Sequence, residues 1–194
     1  MLLNKTPRVK GGGVGFALEQ QGTTGDHGFR ERTEIMKRKI YVETSVISYL
    51  TARPSKNVIE AGHQQSTFLF WDRRGEFDLV ASELVVTECG AGDAIAASKR
   101  LDALMGMPLL DITVRSVEIA KGLVASGIVP VKASEDAMHI SIATVHFVDY
   151  LLTWNCRHIA NPEIQAKIAE HFRQQGLFLP FICTPDELLG DEDD

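Results

Sequence analysis

Five short apolar runs, separated by stretches with helical spacing, constrain this chain more than any other feature. IYV (40–42), FDLVAS (77–82), PLLDI (108–112), YLLTW (150–154) and FICT (181–184) read as strands. Between them, TSVISYL (44–50) reads as the opening turns of a helix, and 57–75 as a longer one carrying Ile59, Phe68, Leu69 and Trp71, with Gly75 as its stop. Ser82 is the expected N-cap of ELVVTECGAG, and Asp93 that of a helix bearing Ile95, Leu101, Leu104 and Met105. A helix over 114–126 ends at Gly127, and Pro130 closes that connection. Ser134 is expected to cap an amphipathic helix running to about 147, with Met138, Ile142 and Val145 on it. A last helix is expected over 163–175. Strands alternating with helices imply a parallel sheet covered on both faces.

The 194 residues are enough for one sizeable domain. Residues 1–35 differ from the rest: seven of the sixteen glycines fall there, and no strand or helix period is sustained. That stretch is expected to be a disordered extension, with Met36 standing where ordered patterning begins. The domain is expected over 36–188, followed by an acidic tail at 189–194. A net charge of -6 argues against a protein that coats nucleic acid by bulk charge. It leaves room for a small nucleic-acid site. The three cysteines, Cys89, Cys156 and Cys183, are too far apart for a CxxC metal pair and read as reduced, incidental thiols. Neither a membrane span nor a signal peptide is expected, which points to the cytoplasm.

In open parallel sheets, sites form at the carboxyl ends of the strands. Glu43, Thr44 and Ser45 follow the first strand directly. Glu88 lies in the helix after the second strand, Asp136 in the first turn of the Ser134 helix, and Asn155 just after the fourth strand. Carboxylates gathered there repel one another, and a divalent cation removes the conflict. Mg²⁺ suits one or two carboxylates plus waters and substrate phosphates. Each acid taken alone also reads as a helix cap or a surface charge.

IYVETSVISYL, SELVVTECGAGD, DAMHISIATVH and VDYLLTWNCRHIANPEI, in that order, resemble the motifs of PIN-domain proteins of the VapC toxin type. The resemblance runs from about Lys39 to the last strand. It implies a three-layer α/β/α fold with a central parallel sheet of four to five strands. It also implies a Mg²⁺- or Mn²⁺-dependent endoribonuclease, of a toxin–antitoxin system, that cuts RNA, is inhibited by a partner antitoxin and forms a homodimer. Glu43 falls where the family usually has Asp, Glu88 on the second-motif Glu, and Asp136 on the third-motif Asp. Asn155 falls on a position filled by Asp or Asn, and Thr44 and Ser45 match the hydroxyl residues after the first acid.

By that resemblance Glu43 and Asp136 hold the metal, with Glu88 as a direct or water-bridged ligand, in a site of one ion or two. Asn155 would orient a water or a phosphate oxygen. Ser45 or Thr44 would position the first carboxylate or donate to phosphate, although a hydroxyl after a strand is also an ordinary N-cap. Arg157, His158 and Arg53 are candidate contacts to RNA phosphates, or surface ion pairs. His139, one turn after Asp136 on the same helix face, reads as a partly buried histidine bonded to backbone or as a contact to that acid, and His146 has no better claim. Phe68, Leu69, Phe70 and Trp71 read as core, with part of an antitoxin or dimer groove as the alternative.

Two alternatives stand beside this reading. One is a degenerate PIN domain, acting only as a protein- or RNA-binding module, with Glu43 as the mark of lost catalysis. The other, a phosphoacceptor receiver-like domain, needs a lysine after the last strand, and FICTPDELL offers none.

Overall fold

The computed structural model describes residues 36–190. The expectations for residues 1–35 and for the acidic residues 191–194 lie outside that range. The described residues form an α/β fold around five parallel strands, ordered β3-β2-β1-β4-β5. These are β1 (Lys39–Val42), β2 (Asp78–Ser82), β3 (Leu109–Leu110), β4 (Tyr150–Leu152) and β5 (Phe181–Cys183). Eight helices flank them: α1 (Thr44–Thr51), α2 (Val58–Asp72), α3 (Glu83–Cys89), α4 (Ala94–Ala103), α5 (Val114–Ala125), α6 (Ser134–Val145), α7 (Pro162–Arg173) and α8 (Pro185–Leu189).

Strand order decides where a site can form. From β1 to β2 to β3 the chain steps one way across the sheet, then crosses to β4 and steps the other way to β5. Right-handed crossovers therefore set α1–α4 on one face and α5–α7 on the other. The order reverses between β1 and β4, which pair as Ile40 with Tyr150 and Val42 with Leu152. Connections leave the two strands in opposite directions there, and a crevice opens beyond their carboxyl ends. The ladder continues one step past the strands, where the Glu43 N–H donates to the Leu152 carbonyl at 3.0 Å. Glu43 is thereby pinned at the mouth of the crevice.

The central strands need apolar side chains on both faces, and Ile40, Tyr41, Val42, Leu151 and Leu152 are all fully buried. Ile140, Ile142, Phe172 and Ile168 close the core from α6 and α7. Phe68–Trp71 divides: Phe70 is fully buried, whereas Phe68 and Leu69 are 42% and 48% exposed. Consecutive residues on a helix point about 100° apart, so four in a row cannot all face one core.

Several boundaries differ from expectation. Ser134 does not cap α6. It is the exposed first residue of the helix, Ala133 occupies the cap position without a side-chain bond, and a 3₁₀ turn at Val131–Ala133 feeds in. The second helix stops at Asp72, and Gly75 lies in the 3₁₀ turn Arg74–Glu76 that follows. Helix α8 was not anticipated. Its signal is present in TPDE: Thr184 and Glu187 form a reciprocal capping box, with Pro185 in the first turn. Ser82 and Asp93 cap α3 and α4 as expected, accepting from Val85 N at 3.3 Å and Ala96 N at 2.9 Å.

Candidate active site

Glu43 ends β1 and caps α1 in one residue. Its Oε2 accepts from the Thr153 hydroxyl at 2.7 Å, the Ser45 N–H at 3.1 Å and the Ser45 hydroxyl. Three donors on one oxygen fix the side chain, which is 6% exposed. Oε1 lies on the other side, 4.0 Å from His139 Nε2. This anchoring carries Oε2 from the end of β1 to Thr153, beyond the end of β4. Ser45 also accepts from the Trp154 N–H at 2.8 Å, so one hydroxyl ties α1 to the loop after β4.

Glu88 lies near the end of α3, whose start is held by the Ser82 cap. Its Oε2 accepts from the Thr44 hydroxyl and lies 3.1 Å from His139 Nε2. His139 is 1% exposed, and its other ring nitrogen shares a hydrogen bond of 2.8 Å with the Tyr41 hydroxyl. Tyr41 in turn bonds the Ser82 hydroxyl at 2.7 Å. A buried polar chain thus runs Ser82–Tyr41–His139–Glu88, from the end of one strand, through the middle of the next, to the acids.

Ligand atoms of Glu43, Glu88 and His139 all lie within 4.8 Å of one another, close enough to share one metal ion. Carboxylate oxygens are the donors that Mg²⁺ and Mn²⁺ take, so the Glu43 and Glu88 oxygens fit such a cation, while both His139 ring nitrogens are engaged with Tyr41 and Glu88.

Asp136 stands beside this group rather than in it. One turn before His139 on α6, its Oδ1 accepts from the Asn155 side-chain amide at 2.9 Å. Asn155 is itself held: its N–H donates to Thr153 Oγ1 at 2.9 Å and its side-chain oxygen accepts from the His158 N–H at 3.1 Å. Thr153 therefore joins the Asn155–Asp136 pair to Glu43. Six of the anticipated residues, Glu43, Thr44, Ser45, Glu88, Asp136 and Asn155, meet in one constellation. Arg157 is exposed, with no hydrogen bond or ion pair among the described residues. His146 lies elsewhere, bonded to the Asp111 carbonyl at 2.9 Å.

Tyr41 and Thr153 went unrecognised. His139 was expected to bond backbone or Asp136; its ring instead bridges Tyr41 and Glu88. The available signal was its i+3 relation to Asp136. Tyr41 gave none, because a tyrosine inside a strand reads as core.

Burial, hydrogen bonds and neighbouring charges together set the titration of these groups. Burial pushes His139 toward the neutral form, but the hydrogen bond to Glu88 and the charges of Glu43, Glu88 and Asp136 outweigh it and raise its pKa. Burial also acts on Glu88, where the His139 hydrogen bond and charge and the Thr44 hydroxyl prevail and hold it below the usual carboxylate value. Asp136 is raised by burial and by the Glu43 charge, against the Asn155 hydrogen bond and the charges of His158 and His139. Burial likewise drives Tyr41 upward, assisted by Glu43 and Glu88 and opposed by the Ser82 hydrogen bond. Tyr41 is thus a neutral hydroxyl that orients the imidazole. Tyr41→Phe leaves a buried His139 nitrogen unpaired and should cost about 1 to 3 kcal/mol. Urea unfolding in the presence of chelator measures this; an unchanged midpoint would show that the contact is energetically empty.

No protein-family model matches the chain, and comparison with curated proteins gives no match. Among solved structures, a chain of the VapBC2 complex from Rickettsia felis, determined bound to a DNA fragment from their promoter, is similar to it. The TM-score is 0.49 and the identity 13%, over 75% of this chain and 98% of that chain. Among the described residues no helix is long and apolar enough to cross a membrane.

Proposed function

We propose that this protein is a metal-dependent endoribonuclease that hydrolyses RNA phosphodiester bonds, a toxin of the VapC kind inhibited by a partner antitoxin. The observation that carries the reading is the gathering of Glu43, Glu88 and His139 within 4.8 Å at the reversal of strand order, with Asp136 and Asn155 alongside. The motif resemblance in the sequence supports it independently of that geometry.

Glu43 and Glu88 are the residues that would hold Mg²⁺ or Mn²⁺, with Asp136, which stands beside them, completing the set directly or through a water. The chemistry such an ion supplies when bound is a lowered pKa for water and relief of negative charge on the attacked phosphate. His139, braced by Tyr41, holds Glu88 in place and offsets part of the acids' mutual repulsion. Asn155 presents its amide at the edge of the acidic group and orients Asp136 or a phosphate oxygen. Ser45 positions Glu43, and Thr44 positions Glu88. Arg157, exposed and without an ion pair among the described residues, would meet the RNA backbone. A homodimer in the cytoplasm, held with its antitoxin until released, completes the proposal.

The test is cleavage of a labelled RNA by the purified chain in Mg²⁺ or Mn²⁺. We expect activity that chelator abolishes and that Asp136→Asn reduces by about two orders of magnitude or more. Activity undiminished in chelator, or equal in Asp136→Asn, would sink the reading. Titration calorimetry with Mn²⁺ separates a nuclease from a binding module, which need take up no metal.

A further inference from the structure

A groove of about 630 Å³ opens between the end of α1 and the start of α4. Its lining includes the hydroxyl residues Ser48 and Thr51 from α1, Arg53 just after it, and Asp93, Lys99 and Arg100 from α4 and its cap. None of these has a place in the acidic constellation, and helix α1 is what links the two. Thr44, which binds Glu88, is followed at helical spacing by Ser48 and Thr51, so one face of α1 runs from the acids into the groove. Seven residues of helix make that path about 10 Å long.

The charges are unevenly engaged. Asp93 is occupied as the cap of α4, accepting from the Ala96 N–H at 2.9 Å. Arg100 is fixed across the end of α3, donating to the carbonyls of Cys89 at 2.9 Å and Ala91 at 2.6 Å. That places a rigid cation one to three residues beyond Glu88. Arg53 and Lys99 are exposed, and among the described residues neither side chain has an ion pair or hydrogen bond. In a chain of net charge -6, three cations converging on one concave surface next to an acidic site call for an anionic occupant. A cluster of acids repels phosphate beyond the reach of its metal, and cations along the approach offset that repulsion. Ser48 adds a neutral hydroxyl donor for a phosphate oxygen, whereas the Thr51 hydroxyl is engaged, donating to the Ile47 carbonyl at 2.9 Å.

We propose that this groove binds the phosphate backbone of single-stranded RNA beside the scissile bond, with Arg53 and Lys99 as its mobile contacts and Arg100 as its fixed one. This rests on the ribonuclease reading for the identity of the anion, and names where that substrate lies. An acidic protein segment is the competing occupant. The helix face that leads from the groove to the acids favours RNA.

The test is anisotropy of a fluorescein-labelled single-stranded RNA with the full chain in chelator, across a salt series, for wild type, Arg53→Gln/Lys99→Gln and Thr51→Glu. Removing two phosphate contacts should lower the slope of log affinity against log salt by about 1.4 and weaken binding at least about tenfold at low salt. Thr51→Glu keeps both cations and adds a negative charge, so it should weaken binding without relying on the double variant. Unchanged binding in both variants, absence of wild-type binding, or competition by polyglutamate peptide but not by unlabelled RNA would each overturn the proposal. Cleavage run in parallel keeps the two readings apart. Groove variants that bind RNA normally beside an active wild type remove the groove alone; variants that lose binding beside an inactive wild type remove the nuclease alone.

Discussion

Replacing Glu43 by Gln should lower RNA cleavage by at least about a hundredfold while leaving the fold in place. Substitution of residues that only orient metal ligands costs about 10- to 100-fold, and Glu43 would be a ligand itself. Gln has the same length, and its carbonyl oxygen can still accept from the Ser45 N–H and the Thr153 hydroxyl, so the α1 cap and the tie to β4 survive. What disappears is the negative charge at Oε1, which faces His139 and Glu88. Initial rates on a labelled RNA in Mn²⁺, beside circular-dichroism melts, make the measurement. A rate within a few-fold of wild type, from a folded variant, would remove Glu43 from the site.

His139→Ala should have the largest effect on stability of any change in the site. Removing it leaves the Tyr41 hydroxyl without one partner and takes the nearest cation from Glu43 and Glu88. Breaking a buried ion pair costs about 3 to 5 kcal/mol. Glu88 is 22% exposed and can regain some water, so the low end, about 3 kcal/mol, is expected. That corresponds to a fall in Tm of about 6 to 12 °C for a domain of this size. The sign of the pH dependence follows from the raised pKa of His139. Its ion-pair contribution is fully present below the ordinary imidazole value and is lost as pH rises through the raised one. The gap in Tm between wild type and variant, measured in chelator, should therefore narrow toward alkaline pH. A gap that is absent, or that widens with pH, would contradict a charged His139.

Both residues show how sequence and geometry divide the site between them. Glu43 was visible as the first acid after a buried strand. Its difference from the usual Asp leaves a working nuclease and a degenerate binding module both open in the sequence; the structure adds that Oε2 engages Thr153 and Ser45. His139 was visible only as a neighbour of Asp136 on one helix face. Its bond to Glu88 spans 51 residues of sequence and its bond to Tyr41 spans 98, beyond any local spacing rule. Tyr41 was hidden for a related reason: burial is what makes a strand tyrosine look like core, and burial is also what makes its hydroxyl need a partner.

Hydrophobic patterning by itself determined the alternation of strands and helices, and so the parallel sheet. It did so because a strand buried on both faces must be apolar along its length, and a covering helix must repeat every three to four residues. Chain direction then placed Glu43 and Asn155 at the carboxyl ends of their strands. Only the tertiary structure decided which strands are neighbours. The order β3-β2-β1-β4-β5 sets β1 beside β4 across 110 residues of chain, as the Thr153 bond to Glu43 records. That adjacency depends on how all the crossovers pack together, a property of the whole core that no single segment encodes. From it come the crevice, the meeting of Glu88 and His139 with Glu43, and the basic groove along α1.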